Sequence, residues 1–125
     1  MPGTNETNEA TVNGMLQGGQ FLEAFEQWYA DSIAMQENLA EPCAGKDANR
    51  ARMQQFFGMV KEFHSCSLLG TAMSEDRGYS EWEFDITFNN GQRIRWAQVA
   101  VRHWRDGKIV FERFYWDRSG YPFEV

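Results

Sequence analysis

The residue types in this chain that could support chemistry favour proton transfer over metal or thiol chemistry. The sequence contains 2 His and 2 Cys, and Cys43 and Cys66 form neither a CxxC pair nor a zinc-binding spacing. We therefore predict no metal site and no cofactor, and we interpret both cysteines as reduced thiols. The remaining candidates are carboxylates, whose pKa rises in an apolar pocket, and histidines, which titrate near neutral pH.

Length and composition restrict where such groups can lie. A chain of 125 residues has the usual size of one domain, and its 15% aromatic content favours a core of large rings with room for a cavity. The net charge is −6, and the chain lacks the cluster of basic residues that is typical of nucleic-acid and anionic-membrane binding. We therefore expect neither partner. Residues 1–13 lack the features of a signal peptide and no apolar run is long enough to cross a bilayer, which predicts a cytoplasmic location.

Helical patterns dominate the first half of the chain. Residues 1–14 are polar and are predicted to be a disordered or weakly helical tail, which leaves residues 15–125 as a single domain. Apolar residues at helical spacing predict an amphipathic helix from Phe21 that ends near residues 30–32. An extended stretch is predicted over residues 33–39.

A second helix is predicted over residues 46–63, after the turn signals Pro42 and Gly45. Asp47 can lie at or near its N-cap, and Met53 belongs to its apolar surface.

The second half predicts an antiparallel meander. A strand is expected from residue 64, and residues 81–88 alternate cleanly between apolar and polar side chains. Residues 93–104 and 109–116 complete the sheet. The fold class is therefore α+β, with N-terminal helices packed in the concave face of a curved antiparallel or mixed sheet around one pocket.

The turns fix which side chains face that pocket. A two-residue loop at Asn90-Gly91 would put Arg95 beside Ile86, whereas a three-residue loop with Gly91 in the left-handed conformation puts Ile94 there. Because a one-residue slip moves every side chain to the other face, the three-residue loop is favoured. The same reasoning at residues 105–107 pairs Ala100 with Glu112, Gln98 with Phe114 and Trp96 with Trp116.

The resulting sheet has two largely apolar faces. The inner face is predicted to carry Trp82, Phe84, Ile86, Trp96, Gln98, Ala100, Glu112, Phe114 and Trp116. The outer face is predicted to carry Ala97, Val99, Val101, Phe111 and Tyr115, with His103 on the same side. The helices can cover only one face, so we expect a second copy of the chain to cover the other in a homodimer.

Three segments resemble the nuclear transport factor 2-like superfamily, which includes ketosteroid isomerase and the SnoaL-like polyketide cyclases. They are residues 25–32 (FEQWYADS) followed by Met35-Gln36-Glu37, residues 45–48 (GKDA) with Asn49 where an aliphatic residue is usual, and residues 104–109 (WRDGKI) followed by residues 114–117 (FYWD). The resemblance implies a cone-shaped, cystatin-like α+β barrel.

Compared with ketosteroid isomerase, the resemblance places the general-base carboxylate at Glu37. The position of that enzyme's second carboxylic acid falls on Ala100, and its oxyanion tyrosine lies on a first helix that this chain lacks or replaces. Steroid isomerisation is therefore not expected. The resemblance also places His64, Cys66, Gln98 and Glu112 on the pocket side, and Arg102 near its rim.

Each candidate has a structural as well as a functional interpretation. Glu37 is either a pocket base or a surface carboxylate bonded to a helix end. His64 either shares a proton with Glu37 or Glu112 or is a hydrogen-bonded wall residue. Glu112 and Arg102 can form an ion pair that anchors a ligand, or the protein itself can satisfy both groups.

The remaining ligand-binding candidates are mainly apolar. Gln98 is a ligand hydrogen-bonding group or a partner for Glu112. The predicted wall residues are Trp82, Phe84, Trp96, Phe114, Trp116, Met53 and Cys66.

Two functions remain open from the sequence. The first is a SnoaL-like pocket protein for a small apolar or aromatic molecule, and, if it is an enzyme, a cofactor-independent isomerase, cyclase, dehydratase or hydrolase with Glu37 as base and His64 or Glu112 assisting. The alternative is a non-catalytic homodimeric binding or assembly module. An open cavity on which Glu37, His64 and Glu112 converge would favour chemistry, whereas a collapsed one would favour the module.

Overall fold

The computed structural model describes residues 4–121, which form three helices and six strands. The helices are α1 (Asn5–Gln17), α2 (Phe21–Trp28) and α3 (Lys46–Met59). The strands are β1 (Tyr29–Glu37), β2 (Cys43–Ala44), β3 (Val60–Ser74), β4 (Arg77–Phe88), β5 (Arg93–Arg105) and β6 (Lys108–Trp116).

All six strands belong to one curved, mixed sheet with the order β2-β1-β6-β5-β4-β3. Strand β1 runs parallel to β6, and the other neighbouring pairs are antiparallel. The predicted α+β class, with helices before a curved sheet, is therefore confirmed. Because β1 lies beside β6 in parallel, the end of β1 comes close to the end of β6: Glu37 pairs with Phe114.

Helix α1 occupies residues that the sequence predicted to be a disordered or weakly helical tail, so that prediction was wrong for residues 5–14. Residues 1–3 of the predicted tail lie outside the described part of the chain. Thr4 caps the helix by accepting a hydrogen bond from the Thr7 amide at 3.1 Å. The face that α1 buries is mostly polar, with Glu9 and Asn13 beside Val12, and an apolar pattern could not reveal it.

Helices α2 and α3 both end earlier than predicted, and each leads directly into a strand. Helix α2 ends at Trp28, and α3 ends at Met59 rather than at residue 63. The turn after β4 explains the second end: the Asn89 amide donates to the Met59 carbonyl oxygen at 2.8 Å. Asp47 lies in the first turn of α3, while Gly45, with φ 97°, takes the cap position.

The turn between β4 and β5 has the predicted three-residue loop. The Phe88 amide donates to the Gln92 carbonyl oxygen at 2.8 Å, and Gly91 has φ 89°. Ile94 consequently lies opposite Ile86, as predicted from the sequence.

The turn between β5 and β6 differs from the prediction. It is a two-residue loop in which both Asp106 and Gly107 have positive φ, 51° and 77°. Farther along, Trp104 pairs with Ile109 but His103 pairs with Phe111, so the chain bulges at Val110.

The bulge preserves the predicted faces although the predicted pairs were wrong. Gln98 pairs with Trp116 instead of Phe114, and Ala100 pairs with Phe114 instead of Glu112. The difference is a shift of two residues, and a two-residue shift returns each side chain to the same face. The inner face therefore still carries Gln98, Ala100, Phe114 and Trp116.

The main hydrophobic core lies between the first two helices and the β1–β6–β5 part of the sheet. Val12, Phe25, Ile33 and Ile109 are fully buried, and Trp104 is 3% exposed. Burying one such side chain contributes about 1.5–3 kcal/mol to folding. This core holds α1 and α2 in place while the space between α3 and the sheet stays open.

Candidate functional site

A cavity of about 430 Å³ lies between the helices and the inner face of the sheet. A volume of this size is typical of small-molecule sites. The walls are mostly apolar and aromatic, and all three helices contribute to them, for example through Leu16, Phe21 and Met53. Every residue predicted for the inner face lines the cavity: Trp82, Phe84, Ile86, Trp96, Gln98, Ala100, Glu112, Phe114 and Trp116.

The aromatic residues of this wall form a continuous row across neighbouring strands. Ring centroids are 6.2 Å apart for Trp82 and Phe84, 5.2 Å for Phe84 and Trp96, and 5.8 Å for Trp96 and Trp116. Contacts of this kind fix the rings without filling the space in front of them. The sequence missed Tyr121, which packs on Trp116 at 5.2 Å and also lines the cavity.

One end of the cavity is closed by a buried cluster made of Glu9, Asn13, Tyr29, Arg102 and Glu112. The Arg102 Nε donates to Glu112 Oε2 at 2.6 Å, and its Nη1 donates to Glu9 Oε2 at 3.0 Å and to Asn13 Oδ1 at 2.7 Å. The Tyr29 hydroxyl donates to Glu112 at 2.8 Å. Arg102 and Glu112 are each 1% exposed.

The charged groups of the buried cluster are stabilised by other groups of the protein. Burial raises the pKa of Glu112, and the charge and hydrogen bond of Arg102 oppose that rise. Burial would lower the pKa of Arg102, but the neighbouring Tyr29, Glu112 and Glu9 raise it above its usual value, so the guanidinium stays charged. The expected ion pair of Glu112 and Arg102 is present, and the protein satisfies both groups.

Two features of the buried cluster differ from the sequence expectation. Arg102 lies in the interior instead of at the rim of the pocket. Its partners Glu9 and Asn13 come from α1, the segment taken for a tail. The only sequence signal for them is their spacing of four residues, which puts them on the same side of a helix.

The cavity wall also carries a rim cluster made of Glu37, Arg52 and Trp116. Glu37 is the last residue of β1, and its Oε2 accepts a hydrogen bond from the Trp116 indole at 2.8 Å. An Arg52 Nη2 lies 3.8 Å from Glu37 Oε1, too far for a hydrogen bond. Glu37 therefore faces the cavity instead of capping a helix end.

The rim cluster is only partly shielded from solvent. The side chains of Arg52 and Glu37 are 33% and 19% exposed. Burial raises the pKa of Glu37, against the lowering effects of the Trp116 hydrogen bond and of the Arg52 and Arg118 charges. A carboxylate in this setting can accept and return a proton closer to neutral pH than an exposed one.

Arg52 is a site residue that sequence reasoning missed. It lies on α3, and Asn49, one helical turn earlier, accepts a hydrogen bond from Arg52 Nη1 at 3.3 Å. The sequence had marked Asn49 only as an unusual residue at a position that is commonly aliphatic.

Gln98 lines the cavity but does not contact Glu112. Its Oε1 accepts a hydrogen bond from the Trp96 indole at 3.1 Å. Its amide nitrogen has no hydrogen-bond partner among residues 4–121, which leaves a donor on the cavity wall.

His64 does not reach the cavity, so its predicted place on the pocket side was wrong. Its Nε2 lies 2.7 Å from the Thr87 hydroxyl and its Nδ1 lies 3.0 Å from a Glu62 oxygen. The register of β3 shifts between Phe63 and Ser65. Phe63 takes the inward position beside this bulge, and His64 therefore points outward.

Cys66 is also absent from the cavity wall, contrary to prediction. It is half-buried opposite Phe84, and its thiol lies 3.9 Å from the Leu16 carbonyl oxygen at the end of α1. Helix α1, which the sequence did not predict, covers this position. Burial raises the pKa of the Cys66 thiol to about 11, so it is an inert group at neutral pH.

The described residues form neither a metal-binding cluster nor a membrane-spanning helix. Within residues 4–121, no three His, Cys, Asp or Glu side chains cluster in a way that could hold a metal ion. In the same part of the chain no helix has the length and apolar character needed to cross a membrane.

The fold and the cavity agree with the comparisons to known proteins. The model of the SnoaL-like domain family matches residues 4–116, and the chain belongs to this family. Membership in this family, together with the lined cavity, indicates a small-molecule-binding pocket protein. None of the curated proteins matches the chain significantly.

Solved structures show the same fold over nearly the whole chain. A candidate SnoaL-like polyketide cyclase from Mesorhizobium loti is 28% identical, with a TM-score of 0.83 over 90% of this chain and 99% of that one. A nuclear transport factor 2-like protein of unknown function from Burkholderia pseudomallei is 15% identical, with a TM-score of 0.79 over 93% and 92%. TerC, co-crystallised with polyporic acid, is 11% identical, with a TM-score of 0.76 over 94% of each chain.

Proposed function

We propose that this protein binds a small, largely apolar or aromatic molecule in its cavity and that Glu37 transfers protons to and from it. The observation that carries the proposal is the contrast between the two carboxylates on the described cavity wall. Glu112 accepts hydrogen bonds from Arg102 and Tyr29, whereas one oxygen of Glu37 has no hydrogen bond within residues 4–121. Glu37 is therefore the carboxylate that remains available to a ligand.

The surroundings of Glu37 suit a general base. The Trp116 indole holds one carboxylate oxygen at 2.8 Å and so fixes the direction of the other. Aromatic walls partly bury the carboxylate, and burial raises the pKa of Glu37 toward the range in which a base both accepts and returns a proton. This arrangement supports a cofactor-independent isomerase, cyclase or hydrolase.

The relatives support the small-molecule part of the proposal. The Mesorhizobium loti protein is a candidate polyketide cyclase, and TerC has been co-crystallised with polyporic acid. Both have the fold that forms the cavity here. The choice among isomerase, cyclase and hydrolase rests on the chemistry of the pocket, not on these proteins.

The alternative is a non-catalytic ligand-binding protein. Its supporting observation is that only Glu37 of the three predicted catalytic residues offers an unoccupied group to the cavity. His64 lies outside the cavity and Glu112 is already bound by Arg102. A binding module needs only the open cavity and the free hydrogen-bonding groups at its rim.

A panel of carbon acids in deuterated water would distinguish the two functions. Ligands are first identified by quenching of tryptophan fluorescence, because Trp96 and Trp116 line the cavity. Catalysis would exchange a carbon-bound proton of a bound ligand for deuterium, and Glu37→Gln would abolish the exchange while leaving binding in place. Glu83→Gln, on the exposed side of β4, is the matched control. Binding without exchange for every ligand would support the non-catalytic alternative.

We also propose that the outer face of the sheet packs against a second copy of the chain in the cytoplasm. This face bears a shallow groove that includes Tyr79, Val101 and Phe111, and Val99 and Tyr115 are 36% and 45% exposed there. Sedimentation analysis would detect a dimer, and Tyr115→Asp should dissociate it. A monomeric wild-type protein would contradict this proposal.

A further inference from the structure

Among the described residues, the two arginines on the cavity wall differ in how completely the protein engages them. Arg102 makes hydrogen bonds of 2.6 to 3.0 Å with Glu112, Glu9 and Asn13, and it is 1% exposed. In the same part of the chain Arg52 has one hydrogen bond, to Asn49, and a Glu37 carboxylate oxygen lies 3.8 Å from it. A guanidinium carries five N–H donors, so most of those on Arg52 remain without a protein acceptor among residues 4–121.

Asn49 fixes the direction of Arg52. Its amide nitrogen donates to the carbonyl oxygens of Cys43 at 2.9 Å and Gly45 at 2.8 Å, which leaves its Oδ1 to face Arg52. The side chain of Asn49 is 1% exposed, and a polar group is costly to bury unless it is hydrogen-bonded. The uncommon polar residue at this position thus joins the loop before α3 to the cavity-lining arginine.

Arg52 and the unbonded oxygen of Glu37 border the same space. A neutral apolar ligand would fill the aromatic part of the cavity and leave the spare N–H donors of Arg52 unused. A ligand with an acidic oxygen would satisfy them, and charge-assisted hydrogen bonds are the stronger kind.

We infer that Arg52 is the ligand-binding cation of this site and that the ligand is a flat, largely apolar molecule with an oxygen that is negative or becomes negative on deprotonation, such as that of a carboxylate, a phenol or an enolisable carbonyl. The inference rests on the proposed function and adds the chemical class of the ligand. It also assigns the ligand's orientation: the oxygen lies at the rim cluster and the apolar body lies against the aromatic wall.

For an enolisable carbonyl, Arg52 also has a role in the chemical step. Glu37 takes a proton from the carbon next to the carbonyl, the electron pair of the broken C–H bond forms a carbon–carbon double bond, and the carbonyl oxygen becomes negative. Arg52 neutralises that developing charge, and the proton on Glu37 is later returned to carbon. Ala100, which stands at the position of the second carboxylic acid of ketosteroid isomerase, cannot provide such stabilisation.

The test compares two probes of nearly equal shape, naphthoate and its neutral amide, naphthamide, by tryptophan-fluorescence quenching. We expect the wild-type protein to prefer naphthoate, and Arg52→Gln to lose that preference by about tenfold while its naphthamide affinity stays the same. Arg50→Gln, two residues away on α3, is the matched control: Arg50 is bonded to Glu26 and does not line the cavity, so this variant should keep the preference.

Glu37→Gln provides an independent test that leaves Arg52 in place. Removal of the carboxylate should strengthen naphthoate binding and leave naphthamide binding unchanged, because a like charge is removed from beside the acidic probe. Arg52→Lys, which keeps the charge but not the planar donors, should lose only part of the preference. Circular dichroism establishes whether each variant is folded. If Arg52→Gln does not fold, the Glu37→Gln result decides whether the acidic probe binds at the rim cluster.

The outcomes separate this inference from the proposed function. Binding of both probes with no preference for naphthoate, or equal losses for both in Arg52→Gln, would overturn the role of Arg52 and leave the apolar pocket intact. Failure of both probes to bind the wild-type protein would contradict the proposed function as well.

Discussion

Two Arg–Glu pairs lie on the wall of one cavity, and they differ in burial and in how completely they are hydrogen-bonded. In the buried cluster, Arg102 and Glu112 are in direct contact and are surrounded by further hydrogen-bonding groups. In the rim cluster, Arg52 and Glu37 are 3.8 Å apart and partly exposed. The fully hydrogen-bonded pair links elements of the fold. The rim pair still has free hydrogen-bonding groups, which can bind a ligand.

The largest effect on stability is expected from removing Arg102 from its pair with Glu112. Arg102→Met would leave the carboxylates of Glu9 and Glu112 buried without their cation, which should lower the free energy of unfolding by about 3–5 kcal/mol. Urea denaturation measures the change. Arg93→Gln, which removes a solvent-exposed partner of Asp85, is the control and should change stability little. Equal stability of the two variants would show that the buried cluster does not hold α1 in place.

The sheet leaves room for the Glu9 side chain at Gly78, and a substitution at that glycine tests this packing. Gly78 lies under the Glu9 carboxylate, and an added Cβ would overlap it. Gly78→Ala should therefore lower the free energy of unfolding by about 1–3 kcal/mol. Gly70→Ala, on the neighbouring strand, meets no atom within 4 Å and should not destabilise the fold. The prediction fails if both alanines have the same effect on urea denaturation.

The rim carboxylate should affect the pH dependence of stability. Burial raises the folded-state pKa of Glu37 above its usual value of 4.5, so folding becomes less favourable as the pH rises from about 4.5 through the folded-state pKa. Glu37→Gln removes this loss, and its stability relative to wild type should increase through that window and then remain constant.

Urea denaturation across the pH range measures this difference. The other charged or titratable groups that act on Glu37, namely Arg52, Glu112, Arg118 and Tyr121, are present in both proteins and largely cancel. A relative stability that is constant from acidic to neutral pH would show that Glu37 is not shifted by the cavity.

The smallest effect is expected for His64. On the outer face of the sheet it bonds to Glu62 of β3 and to Thr87 of β4. His64→Ala should leave both the affinity for naphthoate and any proton exchange unchanged. A loss of binding or of proton exchange would show that His64 contributes to the site.

The sequence predicted the fold and the aromatic wall because both depend on local patterns. Strand alternation and the glycine at position 91 determined the inner face, and the wrong pairing after Asp106 shifted by an even number of residues, which left that face unchanged. Helix α1 could not be predicted in this way. Its anchor, Glu9, is polar and bonds to Trp104, 95 positions away in the chain.

The polar part of the site was harder to predict for the same physical reason. The availability of a charge depends on its neighbours in space, so the sequence could select Glu37 and Glu112 but could not show that only one of them is engaged. The bulge beside Phe63 turned His64 outward. Arg52 was missed because its role depends on Asn49 and Glu37, which lie on different elements.

A crystal structure of the protein with bound naphthoate would test the contrast between the two pairs most directly. We predict that the probe's carboxylate lies within hydrogen-bonding distance of the Arg52 guanidinium, with its rings against Trp96 and with the bond between Arg102 and Glu112 intact. A probe carboxylate that replaces Glu112 on Arg102, or a probe that binds outside the cavity, would contradict the account.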